Sequence, residues 1–283
     1  MITEDRPLRP FVKWVGGKRQ LVKELVESHF PKGYDTNCNS YYEPFLGGGA
    51  LLFTLKPKKA VINDINTELI NCYQVIRDLV AELIEDLKRH ENELNYFYEI
   101  RNWDRNEDYK CKTPVQRASR FIYLNKTCFN GLYRVNSQGQ FNTPFGRYNQ
   151  PNILDIDSLR AVSRYLNENQ VEILNLDFQE AVKDANQGDF IYFDPPYDTA
   201  PERAGFTSYD SKGFRRDDQI RLKQTFDDLS SRGCKILLSN DYNDFIVDLY
   251  RDYNQTKISA IRAINSDASK RGKVDEILVK NYD

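Results

Sequence analysis

Apolar positions along the chain recur with two different periods. Short apolar runs at residues 41–45, 60–64, 171–174, 190–193 and 235–239 predict strands, and those that close on an acid leave it at a sheet edge. Between them apolar residues return at helical spacing: Leu21, Leu25 and Val26; Leu51, Leu52 and Leu55; Leu69, Ile70, Tyr73 and Ile76; Ile220, Leu222, Phe226 and Leu229. Strand and helix in alternation predict an α/β fold with a doubly wound, mostly parallel sheet. The alternation stops in a helix that starts near Asn66 and runs towards Leu94, and it resumes at Val171. Further helices are predicted over residues 96–105 and 115–126, so residues 86–169 read as an inserted, mainly helical domain within a sheet domain of residues 1–85 and 170–283. Inside the insertion, residues 132–142 predict a β-hairpin around Ser137, Gln138, Gly139 and Gln140. In the second half, residues 181–185 are assigned to a helix, Asp217 to a helix cap, and residues 255–261 and 274–280 to two closing strands. A basic loop with Lys270, Arg271 and Lys273 separates those strands.

The strand ends carry the candidate chemistry. Residues 190–193 run into Asp194, Pro195, Pro196 and Tyr197. The prolines stop the strand and have no N–H, so their carbonyls are expected as free acceptors beside the Asp194 carboxylate and the Tyr197 ring. Such a set could grip a planar amine and stack its ring, although a strand-ending Asp-Pro-Pro turn alone accounts for the same residues. Residues 41–45 lead into a turn of Gly47, Gly48 and Gly49, and residues 60–63 close on Asp64, about 20 residues beyond the first strand. A glycine turn followed at that distance by an acid is the layout that puts a carboxylate on the ribose of an adenosine cofactor, although the full G-x-G-x-x-G register is missing. Nearer the start, Gly16, Gly17 and Lys18 precede a helical pattern and could meet a ligand carboxylate; they do not form a nucleotide P-loop.

Composition narrows the classes. Tyr 18 and Phe 16 against Met 1 are suited to stacking as well as to core. Cys38, Cys72, Cys111, Cys128 and Cys234 form no C-x-x-C pair, which argues against a disulfide framework and a zinc site and suits a reducing cytoplasm. His29 and His90 fall in helical patterns away from the strand ends, and no G-x-S-x-G occurs. The N-terminus lacks a signal-peptide pattern and no apolar run is long enough for a membrane span, so no membrane partner is expected. The net charge is only −2, yet residues 110–150 hold Lys110, Lys112, Arg117, Arg120, Lys126, Arg134 and Arg147 with no acid. Interleaved with Phe121, Tyr123, Phe129, Tyr133, Phe141, Phe145 and Tyr148, they have the composition of a nucleic-acid surface, against the alternative of a solvated face over core aromatics. Arg134 on a hairpin could read guanine in a major groove or simply be solvated.

Taken together, residues 14–18 and 43–49, Asn63 and Asp64, residues 130–134 with 141–148, and residues 194–197 resemble the Dam-type D12 class of DNA N6-adenine methyltransferases, including modification enzymes of GATC restriction systems. The resemblance spans nearly the whole chain. It implies the class I S-adenosylmethionine-dependent methyltransferase fold, S-adenosylmethionine as cofactor, and the adenine of double-stranded GATC DNA as substrate, reached by base flipping. By the same resemblance Trp14, Gly17, Lys18, Phe45, Gly47, Gly49, Asp64, Asp177, Phe178 and Asp194 would contact the cofactor, and Asp194, Pro195 and Tyr197 the target amine and base. Lys13, Phe129, Asn130, Leu132, Arg134, Pro144, Arg147 and Tyr148 would face DNA, Arg134 reading a guanine and Phe129 inserting into the stack where relatives carry Tyr. The position after Arg147 and Tyr148, often Lys in the family, is Asn149. An amino methyltransferase of the same fold acting on another sequence, on RNA or on cytosine N4 is the alternative. The expectation is a cytoplasmic monomer, with a separately acting cognate restriction endonuclease as a potential partner.

Overall fold

The computed structural model describes residues 8–14, 21–197, 214–261 and 273–283. Its centre is a seven-stranded sheet of β1 (Tyr41–Glu43), β2 (Lys59–Asn63), β3 (Gln170–Leu174), β4 (Phe190–Phe193), β5 (Lys235–Asp241), β6 (Asn254–Ile261) and β7 (Lys273–Lys280). The order is β3-β2-β1-β4-β5-β7-β6. All pairs are parallel except those made by β7, which runs antiparallel to β5 and β6. The apolar runs could become central strands because both their faces are covered. Along β4, Phe190 and Tyr192 enter one core cluster while Ile191 and Phe193 enter the other, the two-residue alternation of a strand buried on both faces.

Helices cover the two faces. Against the first lie α1 (Val22–Glu24, continued by a π-turn over Leu25–His29), α2 (Ala50–Leu55), α3 (Thr67–Asp78), α4 (Val80–Leu87), α6 (Pro114–Thr127) and α7 (Ile156–Glu168). Against the second lie α8 (Phe178–Ala181), α9 (Arg216–Ser231) and α10 (Asp244–Leu249). α5 (Leu94–Asn102) closes a smaller cluster with Phe97, Ile100, Tyr123, Leu124 and Phe141. α6 begins where the sequence signals it: Thr113 and Gln116 form a reciprocal capping box and Pro114 opens the first turn. Its Ala118, Phe121 and Ile122 join the sheet-side core while Tyr123 and Leu124 join the smaller cluster, so one helix links both. Among the described residues no helix is long and apolar enough to cross a membrane.

Several local expectations change. The helix expected to run from Asn66 towards Leu94 breaks at Leu79, whose φ −137° and ψ 36° leave the helical region, and it ends at Leu87. The helix expected over residues 181–185 is instead the single turn α8, which ends at Ala181. α9 starts at Arg216, with the Arg215 N–H donated to the Asp218 carboxylate at 2.9 Å, so Asp217 lies inside the first turn instead of capping it. The hairpin of residues 132–142 is reduced to one antiparallel bridge, Val135 to Phe141. α7 and α10 lay unmarked in the periodicity. The expected contacts of Gly16, Gly17 and Lys18, and the basic residues Lys270 and Arg271, lie outside the described residues.

Candidate active site

The strand order reverses between β1 and β4, because the chain winds outward from β1 through β2 to β3 and, separately, from β4 to β5. In open α/β sheets the crevice above that reversal is where ligands sit. β1 ends on Glu43 and β4 is followed at once by Asp194, so two acids flank the switch point, with Asp64 one strand further along after β2.

After β1 the backbone turns at Gly47 (φ 51°) and Gly49 (φ 68°), conformations open to glycine. Gly47 is also required by space, since a Cβ there would lie 2.5 Å from Cδ1 of the Trp14 ring. The Gly47 N–H donates to Asp64 Oδ2 at 2.9 Å, the Asn66 N–H donates to Oδ1 at 2.9 Å, and the Tyr73 hydroxyl donates to the Gly47 carbonyl at 3.1 Å. Asp64 is thereby locked against the turn. Burial pushes its pKa up to about 6, although these two amides favour the charged form. Trp14 stacks nearly parallel to Tyr133 at 5.9 Å and to Phe121 at 6.3 Å, so the turn is packed against α6 and the residue next to Arg134.

The Asp194 turn is held from two sides. The Ser239 hydroxyl donates to Asp194 Oδ1 at 2.9 Å and lies 3.0 Å from the Tyr192 hydroxyl. Because Ser239 spends its one proton on Asp194, Tyr192 donates to Ser239 in this chain, and the carboxylate is fixed in rotation. Gln219, fully buried on α9, donates from Nε2 to the Pro196 carbonyl at 3.0 Å and accepts from Asn240 Nδ2 at 3.0 Å. The expectation that both proline carbonyls stay free is therefore corrected: that of Pro196 belongs to the scaffold. Tyr197 and Asp194 are half-buried and Pro195 is buried at the same lip.

A third group lies beyond Asp64. Asp177 accepts from the Gln179 N–H at 3.0 Å and pairs through both oxygens with Arg221 Nη2 at 2.8 Å. Beside it in sequence, Phe178 packs with Phe45 and Phe214, ring centroids 5.4 to 5.9 Å apart. Ile65 is 54% and Leu176 41% exposed, apolar side chains left in solvent immediately after and before the two acids. A ring-bearing ligand would cover them.

The basic segment is less of a surface than its composition suggests. Arg117 turns to Glu68 and Arg120, 5% exposed, pairs with Asp104 at 2.7 Å. Phe121, Tyr123 and Phe141 are core; Phe129 is the large apolar side chain of this stretch that stays exposed, at 42%. Phe129 donates its N–H to the Pro144 carbonyl at 2.8 Å, and Leu132 and Pro144 lie on the same loop pair. Asn130 (φ 56°) and Arg147 (φ 54°) occupy left-handed backbone, a strained choice for arginine. Lys13 places its ammonium 4.5 Å over the Tyr148 ring, and its backbone is tied to Asn125 by bonds of 2.8 Å in both directions. Arg134 is half-buried and its Nε donates to Asn142 Oδ1 at 2.7 Å. His90 is a half-buried histidine beyond α4, stacked on Tyr123 at 4.3 Å and depressed by burial to about 4. Burial pushes the Cys234 thiol up to about 11, which leaves it protonated and unreactive near neutral pH.

Sequence reasoning missed Glu43 as a buried acid, the Tyr192 and Ser239 pair, Gln219, and the exposed Ile65 and Leu176. Ile65 alone had a signal, an apolar residue directly after a strand-ending acid.

A seven-stranded sheet in this order with its seventh strand antiparallel, and a glycine turn and acid at its switch point, defines a class I S-adenosylmethionine-dependent methyltransferase. Within that class the chain belongs to the D12 class N6 adenine-specific DNA methyltransferases, whose family model matches residues 14–264. It is 47% identical over 277 residues to the Type II methyltransferase M1.LlaDCHI of Lactococcus lactis subsp. cremoris, covering 97% of this chain and 96% of that one. To the Type II methyltransferase M.MjaIII of Methanocaldococcus jannaschii it is 42% identical over 291 residues, covering 97% and 99%. The DNA adenine methylase of Escherichia coli K12 is 29% identical over 274 residues, covering 95% and 94%. The chain is therefore a DNA adenine N6-methyltransferase, and membership of this family implies S-adenosylmethionine as the methyl donor.

Proposed function

We propose that the enzyme methylates N6 of the adenine in duplex GATC sites, acting on a base rotated out of the helix. The observation that carries this reading is the placement of Asp64 and Asp194 at the ends of strands that flank β1, two strand spacings or about 10 Å apart. One acid is set against a nucleoside turn and the other in an amine-gripping Asp-Pro-Pro-Tyr. The residues fit the cofactor: Gly47 and Gly49 let the backbone come close, Asp64 suits ribose hydroxyls, and Ile65, Leu176, Phe45 and Phe178 offer apolar walls for a purine. Asp177, held by Arg221, suits the purine amine, and Trp14, with Gly17 and Lys18, the amino-acid end. When bound, the cofactor supplies a methyl group activated by a sulfonium.

The protein's own residues then do the following. Asp194 and the Pro195 carbonyl accept hydrogen bonds from the target amine, orienting its lone pair, while Tyr197 stacks on the base. Ser239 and Gln219 keep that set rigid. Phe129 fills the place the base vacates, offsetting lost stacking. Residues 86–169 act as the target-recognition unit, in which Arg134 reads a guanine and Asn130, Leu132, Pro144, Lys13, Arg147 and Tyr148 position the duplex. The GATC assignment is supported by the likeness of residues 130–134 and 141–148 to the recognition segments of GATC enzymes. A cleft and a reading segment carried by one chain suit a monomer, a DNA substrate suits a cytoplasmic enzyme, and the two Type II relatives favour a role beside a separate restriction endonuclease. The test is transfer of tritiated methyl from the cofactor to matched duplexes with and without GATC. Label confined to the GATC duplex is expected; equal label on both, or label on cytosine, overturns the assignment.

A further inference from the structure

The target-reading hairpin is too small to hold itself. It has a single bridge, Val135 to Phe141, flanked by the bonds Asn136 N–H to Gln140 carbonyl and Asn142 N–H to Arg134 carbonyl, each 2.9 Å. An isolated two-stranded hairpin is marginal in water. In that pattern Val135 and Phe141 are a non-hydrogen-bonded pair, so both backbone groups of Phe141 point away from the partner strand, where a third strand would lie.

Among the described residues no strand lies there; two adjacent side chains do. Asp104 Oδ2 accepts the Phe141 N–H at 2.7 Å, and Arg105 Nη2 donates to the Phe141 carbonyl at 2.7 Å. The pair is closed by Arg105 Nη1 to Asp104 Oδ1 at 2.6 Å and anchored by Arg120 Nη2 to Asp104 Oδ2 at 2.7 Å. Asp104 and Arg120 are 10% and 6% exposed at their side chains, and Arg120 also donates to the Ile100 and Arg101 carbonyls at 2.9 and 2.7 Å. One residue after the gripped Phe141, Asn142 holds Arg134 through both its backbone and its side chain.

We propose that Asp104 and Arg105 substitute for a third strand and, by gripping Phe141, set the aim of Arg134, making them positioning residues for target-base discrimination. This rests on the reading of Arg134 as the group that reads a base. A residue that only supports the fold would lower activity on every duplex alike, whereas one that aims Arg134 lowers discrimination at a single base pair.

The experiment compares methyl transfer on GATC duplexes and on duplexes with one base pair changed, for the wild type, Arg134→Ala, Asp104→Asn, Arg105→Ala, and the double variant Arg105→Ala with Arg134→Ala. Arg105 is more exposed than Asp104, so its variant folds even if Asp104→Asn does not. Discrimination at the base pair relaxed by Arg134→Ala should fall about threefold to tenfold in the Arg105 variant, the size of one lost hydrogen bond of ordinary net strength. Cofactor affinity by calorimetry should not change, and the double variant should discriminate no worse than Arg134→Ala alone. A uniform loss on all duplexes, or an additive loss in the double variant, overturns the positioning role. If Arg134→Ala itself leaves discrimination intact, the reading of Arg134 falls and the inference with it.

Discussion

Replacing Glu43 with glutamine should change the pH dependence of stability more than its value at acid pH. The Glu43 side chain is 3% exposed and its Oε2 accepts the Tyr41 hydroxyl at 2.7 Å. Burial pushes its pKa up to about 8; the nearby carboxylates Asp194 and Asp64 push the same way, and the Tyr41 bond opposes them. An acid with a raised folded pKa keeps its proton in the fold after the unfolded chain has released it. Stability is therefore lost as pH rises from the unfolded value of 4.5 to the folded value of about 8, and it levels off above. At about 1.4 kcal/mol per pH unit, this one group removes about 3 to 4 kcal/mol between pH 5 and pH 8. Glutamine does not titrate and its amide carbonyl can still accept from Tyr41. The Glu43→Gln protein should match the wild type within about 1 kcal/mol near pH 5 and exceed it by about 3 to 4 kcal/mol near pH 8. Urea unfolding of the cofactor-free proteins at several pH values, followed by circular dichroism with the slope held in common, measures this difference. Asp64 titrates in both proteins and largely cancels. Two stability curves that run parallel from pH 5 to pH 8 would refute the reasoning, since Glu43 would then titrate alike in the folded and unfolded chains.

Three further substitutions probe the site. If the half-buried Asp194 carboxylate acts on the amine as proposed, Asp194→Ala should abolish methyl transfer while the melting temperature stays within a few degrees; near wild-type turnover would remove Asp194 from the chemistry. Gly47→Ala places a Cβ 2.5 Å from the Trp14 ring at a φ of 51°, costing about 1 to 2 kcal/mol in backbone strain before any shift of Trp14. Calorimetry should show cofactor affinity about tenfold weaker or worse with DNA affinity less changed, and equal weakening of both would place the turn outside the cofactor site. Phe129→Ala should leave stability within about 0.5 kcal/mol, as the side chain is 42% exposed, yet reduce the fluorescence rise of 2-aminopurine at the target position. An undiminished rise means Phe129 does not support flipping.

The parts of the site legible in the sequence are those made by residues adjacent along the chain. An apolar run ending in Asp64 or Asp194 is visible because the strand and its terminal acid are consecutive, and the turn at Gly47 and Gly49 shows because backbone conformation restricts the residue type. What stayed hidden depends on distant partners. Arg117 and Arg120 read as surface charge because their acids, Glu68 and Asp104, lie outside the acid-free stretch. Gln219 looks like a polar residue on an amphipathic helix; only tertiary packing turns it to the Pro196 carbonyl. Glu43 gave no sign of its burial, because a three-residue strand shows too little alternation to tell a lip residue from a core one. The support of the hairpin was hidden in the same way: the outward-facing N–H and carbonyl of Phe141 go to the side chains of Asp104 and Arg105, partners distant along the chain.

Glu43, Asp64 and Asp194 stand at the ends of three neighbouring strands, a row of carboxyls in which the first two are buried and costly to ionise together. Near neutral pH Glu43, with its pKa raised to about 8, is mostly protonated in the free enzyme. S-adenosylmethionine carries a sulfonium and an ammonium against one carboxylate, a net positive charge. A cation entering the row favours the charged form of each acid, so binding should pull the Glu43 pKa down and release up to about one proton near pH 7. Calorimetry of cofactor binding in buffers of different ionisation enthalpy measures that proton, and Glu43→Gln should remove most of it. Binding by the wild type with no buffer dependence would mean that the charge of the cofactor is answered by groups other than Glu43. A released proton would instead make the burial of Glu43 functional: the acid stays neutral while the cleft is empty and supplies a countercharge when the methyl donor arrives.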